Sequence, residues 1–214
     1  MKLLKIAVGH GIQNYTCASA TANATAIGAL AILYDITELY PGTPGTGINA
    51  TVFSALSSTI LNSQELPLNL LNGSAGGEPG KVGGFPEAAF GADPTEPFPN
   101  EDEDLDLGGL ELPFLGRHYF DINNAPTFDL LQEAKLLAVV AKKDAVNAPG
   151  TADKGLLGTG AVAWLRLLDG GKSQGVTAVY RVVTAGGSPQ PCSTSGQGAG
   201  SVPYAAQYWF YGSA

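Results

Sequence analysis

Short apolar blocks and stretches of alternating apolar and polar residues fill most of the chain, and glycine or proline interrupts nearly every one. Leu3 to Val8, Ile12 to Cys17 and Ala26 to Asp35 have the length and period of strands. Thr51 to Asn62 (TVFSALSSTILN) fits a strand or a short helix. Arg117 to Phe120 and Thr127 to Leu131 are expected strands around a turn at Asn123-Asn124-Ala125-Pro126. Lys135 to Ala145 leans to strand because Val139 and Val140 are β-branched. Ala161 to Leu168 and Val176 to Thr184 flank Asp169-Gly170-Gly171-Lys172, the signature of a hairpin with a longer turn, and Trp164 in the first of them is assigned to the core. Val202 to Tyr211 is an aromatic strand that sets Tyr204, Ala206, Tyr208 and Phe210 on one face, and Gln207, Trp209 and Tyr211 on the other. The expected fold is mainly β: one domain over residues 1–214, an antiparallel β sandwich or barrel.

One segment breaks this pattern. Gly73 to Gly109 holds nine glycines and five prolines in 37 residues, a composition unsuited to a core, and is expected to be a long surface excursion. Its end carries the charge. Seven of the 19 acids lie between Asp93 and Asp106 with no base among them, so the net charge of −8 belongs largely to this stretch. An acidic chain without lysine and arginine clusters is a poor partner for nucleic acid. The longest apolar run, Ala26 to Tyr34, is far short of the roughly 20 residues of a spanning helix, so no membrane insertion is expected.

Several motifs resemble chemistry without completing it. Gly171-Lys172-Ser173-Gln174-Gly175 matches a nucleophile elbow, but a strand follows it and both histidines precede it, so a hairpin turn is the expected structure. Gly158-Thr159-Gly160-Ala161-Val162-Ala163 resembles a dinucleotide fingerprint, yet it lacks both a convincing preceding strand and the acid about 20 residues on. Asp102, Asp104 and Asp106 alternate like calcium ligands, although the turn glycine and final glutamate of an EF-hand loop are missing, which favours a solvated acidic loop. Two histidines and no cysteine cluster do not make a zinc site, and no cofactor is implied. The candidate catalytic group is His118, with Asp121 and Asp129 near enough in sequence to orient an imidazole. The candidate ligand-binding side chains are Trp209 and Tyr211, as a stacking platform.

Compartment rests on asparagine and cysteine. Acceptor sequons occur at Asn14, Asn23, Asn49 and Asn72, and Cys17 and Cys192, if bridged, would close almost the whole chain. Together they favour secretion over a cytosolic chain with two free thiols. Met1 to Val8, with lysines at 2 and 5, has no apolar signal-peptide core, so Met1 is expected to begin a mature or engineered chain.

The segments Ala7-Val8-Gly9-His10-Gly11-Ile12-Gln13-Asn14-Tyr15-Thr16-Cys17, His118-Tyr119-Phe120, Pro126-Thr127-Phe128-Asp129 and Val162-Ala163-Trp164-Leu165 carry a resemblance. So do Val179-Tyr180-Arg181-Val182, Thr184-Ala185-Gly186-Gly187, Cys192 and the run from Val202 to Phe210. Together they are similar to an uncharacterised secreted family of fungi and bacteria whose fungal members often carry a malate dehydrogenase label. The failed fingerprint gives that label no support. The resemblance implies an extracellular setting and a Cys17–Cys192 pair. The expected function is that of a secreted or cell-wall protein without catalytic activity that binds a glycan or another extracellular partner, or serves structurally. The rival is a secreted hydrolase using His118 and a nearby aspartate.

Overall fold

The computed structural model describes residues 1–71 and 90–213. Eight long strands close into a barrel. They are β1 (Lys2–Cys17), β2 (Thr25–Asp35), β5 (Phe114–Phe120), β6 (Pro126–Leu130), β7 (Leu136–Val146), β8 (Trp164–Asp169), β9 (Ala178–Gly186) and β10 (Gly198–Gly212). A two-stranded ribbon, β3 (Leu105–Asp106) with β4 (Glu111–Leu112), and three helices, α1 (Ala50–Ser63), α2 (Leu131–Ala134) and α3 (Cys192–Ser195), are the other elements among the described residues. All barrel pairs are antiparallel. With the ribbon set aside, each strand pairs with its successor in sequence and β10 returns to β1, the up-and-down route that leaves no free edge. Of the two expected architectures, the chain adopts the barrel.

Barrel closure explains why β1 reads as an almost continuous apolar run. Its residues from Ile6 to Gln13 are buried on both faces. Ala7 joins the interior cluster with Leu33, Phe128, Tyr204, Tyr208 and Phe210, whereas Ile6 and Val8 join a second cluster on the outer wall. The inner face of β1 also needs glycine. A Cβ on Gly9 would stand 2.8 Å from the Tyr208 ring, and one on Gly11 would stand 1.9 Å from the Leu30 carbonyl oxygen.

Outside the barrel, the ambiguous block becomes α1. Asn49 caps it by accepting from the Thr51 amide at 2.8 Å. Phe53, Leu56 and Ile60 form an apolar stripe that packs on Ile6, Val8 and Ile32. Gln207 fixes the helix to the wall, its Nε2 donating to the Phe53 carbonyl at 2.9 Å. The described end of the Gly/Pro-rich excursion is more than bare surface. Phe90 is buried with Ile12 and Leu68, and Leu105, Leu107 and Leu110 pack with Leu112 on the outer wall. Glycine and proline there shape a covering layer that the composition alone conceals. Trp164 also departs from expectation: it is half-buried, and lines an outer cleft between α1 and β9, because its neighbours Leu165 and Leu167 take the inward positions of β8.

The two ends of the barrel differ. At one end Leu4, Ala134 and Leu136 pack against the interior cluster and stopper it. At the other, a disulfide joins Cys17, the last residue of β1, to Cys192 in the β9–β10 connection. Among the described residues no helix is long and apolar enough to cross a membrane.

Candidate functional site

The end marked by the disulfide is open. A cavity of about 460 Å³ enters the barrel there, walled by residues from β1, β2 and β5 to β10. That volume is in the range of small-molecule sites, and eight-stranded barrels are wide enough to hold one small ligand. Most of the wall is apolar, with Phe128, Leu165 and Leu167 among its residues. The polar groups are few: Gln13, Tyr15, His118, Arg181, Ser188 and Tyr208, with Lys142 towards solvent.

These groups come from distant strands and are held firmly. The His118 ring stacks on Phe128 with centroids 4.1 Å apart. Its Nδ1 stands 2.8 Å from the Thr127 carbonyl oxygen, which can only accept, so Nδ1 carries the proton and Nε2 keeps a lone pair. Burial lowers the His118 pKa to about 4, with the Thr127 bond opposing and the Arg181 charge assisting, so the imidazole is neutral at pH 7. Arg181 donates from Nε and Nη2 to the Ala163 carbonyl at 3.1 and 3.0 Å. The Tyr204 and Tyr208 hydroxyls are 2.8 Å apart, and burial raises the pKa of both phenols. Gln13 Nε2 is buried without a hydrogen-bond partner among the described residues.

The aspartates expected to serve His118 are elsewhere. Asp121 organises its own turn, accepting from the amides of Asn123 and Ala125 at 2.9 and 2.8 Å. Asp129 accepts from the Leu131 amide at 3.1 Å and lines a groove on the outer wall, while His118, opposite Phe128 in the ladder, faces inward. His118, Asp121 and Asp129 are not brought together. That outer groove, about 860 Å³, has Leu71 and Gly91 in its lining, and the guanidinium among its described residues, Arg117, is already paired with Asp102 at 2.7 Å. The three alternating aspartates separate into three tasks: Asp102 holds Arg117, Asp104 accepts from the Phe114 amide, and Asp106 accepts from the Gly109 amide. Among the described residues no three or more His, Cys, Asp or Glu side chains are grouped to hold a metal.

Trp209 and Tyr211 are half-buried on the outer wall. Trp209 meets the edge of Tyr40 at 5.5 Å and donates from Nε1 to Gln207, and Tyr211 meets Tyr180 edge-on at 5.6 Å. Of the sequons, Asn23 and Asn49 are exposed, Asn14 is half-buried within β1 with its Oδ1 accepting from Ser201, and Asn72 lies outside the described residues. Ser173 is a turn residue that exchanges hydrogen bonds with the backbone of Val139. Gly158 to Ala163 forms part of the β7–β8 connection and delivers Val162 to the barrel interior.

A family model described as a protein of unknown function, DUF3455, matches residues 1–212. The chain belongs to the DUF3455 family. No curated protein and no solved structure matches it. The DUF3455 match spans every barrel strand, the disulfide and the cavity. Sequence reading found His118 in this site and missed Arg181, Gln13 and Tyr208. The available signal was a polar residue at an inward position of an otherwise apolar strand, as with Arg181 two residues after Val179.

Proposed function

We propose that this chain is a secreted, non-catalytic binding protein of the extracellular space or cell wall, and that it takes a small, largely apolar molecule into the open end of its barrel. The cavity carries the reading: a mostly apolar cup of about 460 Å³, closed at its floor and fitted with a few fixed polar groups. The disulfide supports an oxidising compartment, as do exposed sequons at Asn23 and Asn49. Binding is favoured over hydrolysis because the His118 ring is locked in a buried stack on Phe128 and bonded to the Thr127 carbonyl, and no described aspartate or glutamate lines the cavity to stabilise an imidazolium formed in a catalytic cycle. A glycan platform at Trp209 and Tyr211 gains less support, since both rings are engaged with neighbouring side chains.

The test is binding of the fluorescent probe anilinonaphthalene sulfonate to the oxidised protein. One saturable site per chain is expected, and Ala145→Trp, at the exposed rim of the cavity, is expected to abolish or weaken it. Unsaturable binding, or binding indifferent to the rim substitution, would rule the barrel out as the site.

A further inference from the structure

The lining of the cavity reverses the charge of the chain. The protein has 19 acids and 11 bases, yet among the described residues the cavity lining holds Arg181 and Lys142 and not one aspartate or glutamate. Arg181 is 8 % exposed. The ion pairs of the described residues are Lys5 with Asp35, Arg117 with Asp102 and Arg166 with Asp144, and none involves Arg181. Its partners are neutral, the Ala163 carbonyl, which takes two of its five donors, and the Tyr208 hydroxyl, so donors are left over and no carboxylate is among its described partners. Taking an ion out of water costs several kcal/mol, and neutral acceptors repay only part of that. A structural arginine at this depth is ordinarily matched by a carboxylate. Among the described residues no carboxylate matches it, and the guanidinium borders an open cavity.

We infer that Arg181 is the anchor for the acidic group of the ligand, and that the barrel selects monocarboxylates with an apolar body over their neutral counterparts. This rests on the barrel-binding reading above. The planar fork of a guanidinium matches a carboxylate better than it matches a hydroxyl or an amide. One buried cation calls for one negative charge, and Phe128, Leu165 and Leu167 offer the rest of the molecule an apolar wall. Lys142 at the rim adds attraction during entry. His118 is neutral at pH 7 and so does not compete for the anion; its Nε2 lone pair accepts from any hydroxyl the ligand carries.

Calorimetric titration of the oxidised protein with two matched pairs tests this: decanoate against decan-1-ol, and naphthalene-2-carboxylate against naphthalene-2-methanol. In at least one pair the acid is expected to bind about tenfold or more tightly than the alcohol, from charge-assisted bonding. Arg181→Met, which keeps the side-chain volume, is expected to remove that preference while leaving the alcohol's affinity within about twofold, and Arg181→Lys to restore part of it. The wild-type comparison stands even if a variant fails to fold. Equal affinities for acid and alcohol, or a preference that survives Arg181→Met, would overturn the carboxylate assignment and leave the barrel reading intact. If neither member of either pair binds and anilinonaphthalene sulfonate also finds no saturable site, the barrel reading falls and this inference falls with it.

Discussion

At the scale of single residues, two buried histidines make the protein sensitive to acid. His10, between Gly9 and Gly11 on β1, is 1 % exposed, with Nδ1 lacking a partner among the described residues, and burial lowers its pKa to about 4, the same value as His118. Both titrate near 6.5 when unfolded. A native pKa below the unfolded one means that stability is fully present above pH 6.5 and drains away as pH falls towards 4. Each histidine accounts for on the order of 3 kcal/mol over that window. The carboxylates with lowered pKa values, Asp93, Asp121 and Asp169, lose their contributions only at lower pH, below 3.8. Urea unfolding at pH 7, 5.5 and 4.5 should therefore show a steep loss, shallower in His118→Phe; a flat profile would contradict the buried, neutral state. Gly11→Ala belongs to the same scale. The added Cβ meets backbone, so the substitution should cost about 3 kcal/mol or prevent folding, read as a lowered urea midpoint or lost soluble yield.

Among the elements, α1 is bound by its apolar stripe and by the Gln207 bond, with Trp209 attached to the same glutamine. Ile60→Ala should cost about 2–5 kcal/mol and loosen the helix, shifting Trp209 emission to longer wavelength as water reaches the ring. A variant of unchanged stability and emission would show that α1 is not tied to the wall. The strands were legible because their Val, Ile, Leu and Tyr blocks are bounded by glycine. The helix was not, since Phe53, Leu56 and Ile60 share their window with β-branched Thr51, Val52 and Thr59, and only the outer wall of the barrel decides between the two periods. Gly9 and Gly11 posed a different difficulty. Beside His10 they look like a fragment of a nucleotide loop, whereas their task is to let Tyr208 and β2 approach. Of the site, His118 stood out as one of two histidines. Arg181 left only the fainter trace of a polar residue in phase with inward Val179, and Tyr208 reads as one more core aromatic, because closure of the barrel, not spacing along the chain, places them beside Gln13.

For the whole molecule, the bridge between Cys17 and Cys192 spans 175 residues, and in the chain-entropy model a loop of that length stabilises by up to about 5 kcal/mol. Replacing both cysteines with serine, or reducing the protein, should lower stability by a substantial part of that amount in urea unfolding. The same treatment loosens the rim of the cavity and should weaken binding of anilinonaphthalene sulfonate before global unfolding begins. Unchanged binding in the reduced but folded protein would assign the bridge to stability alone. Because β1 and β10 run side by side, Lys2 sits opposite Gly212 at the stoppered end, with the full height of the barrel between them and the cavity. A surface tether or fusion partner attached at either terminus would therefore leave the mouth pointing away from the attachment. A short linker joining the two ends would permit a circular permutant newly opened at the β8–β9 turn, also remote from the mouth, making the barrel a convenient frame for an immobilised sensor.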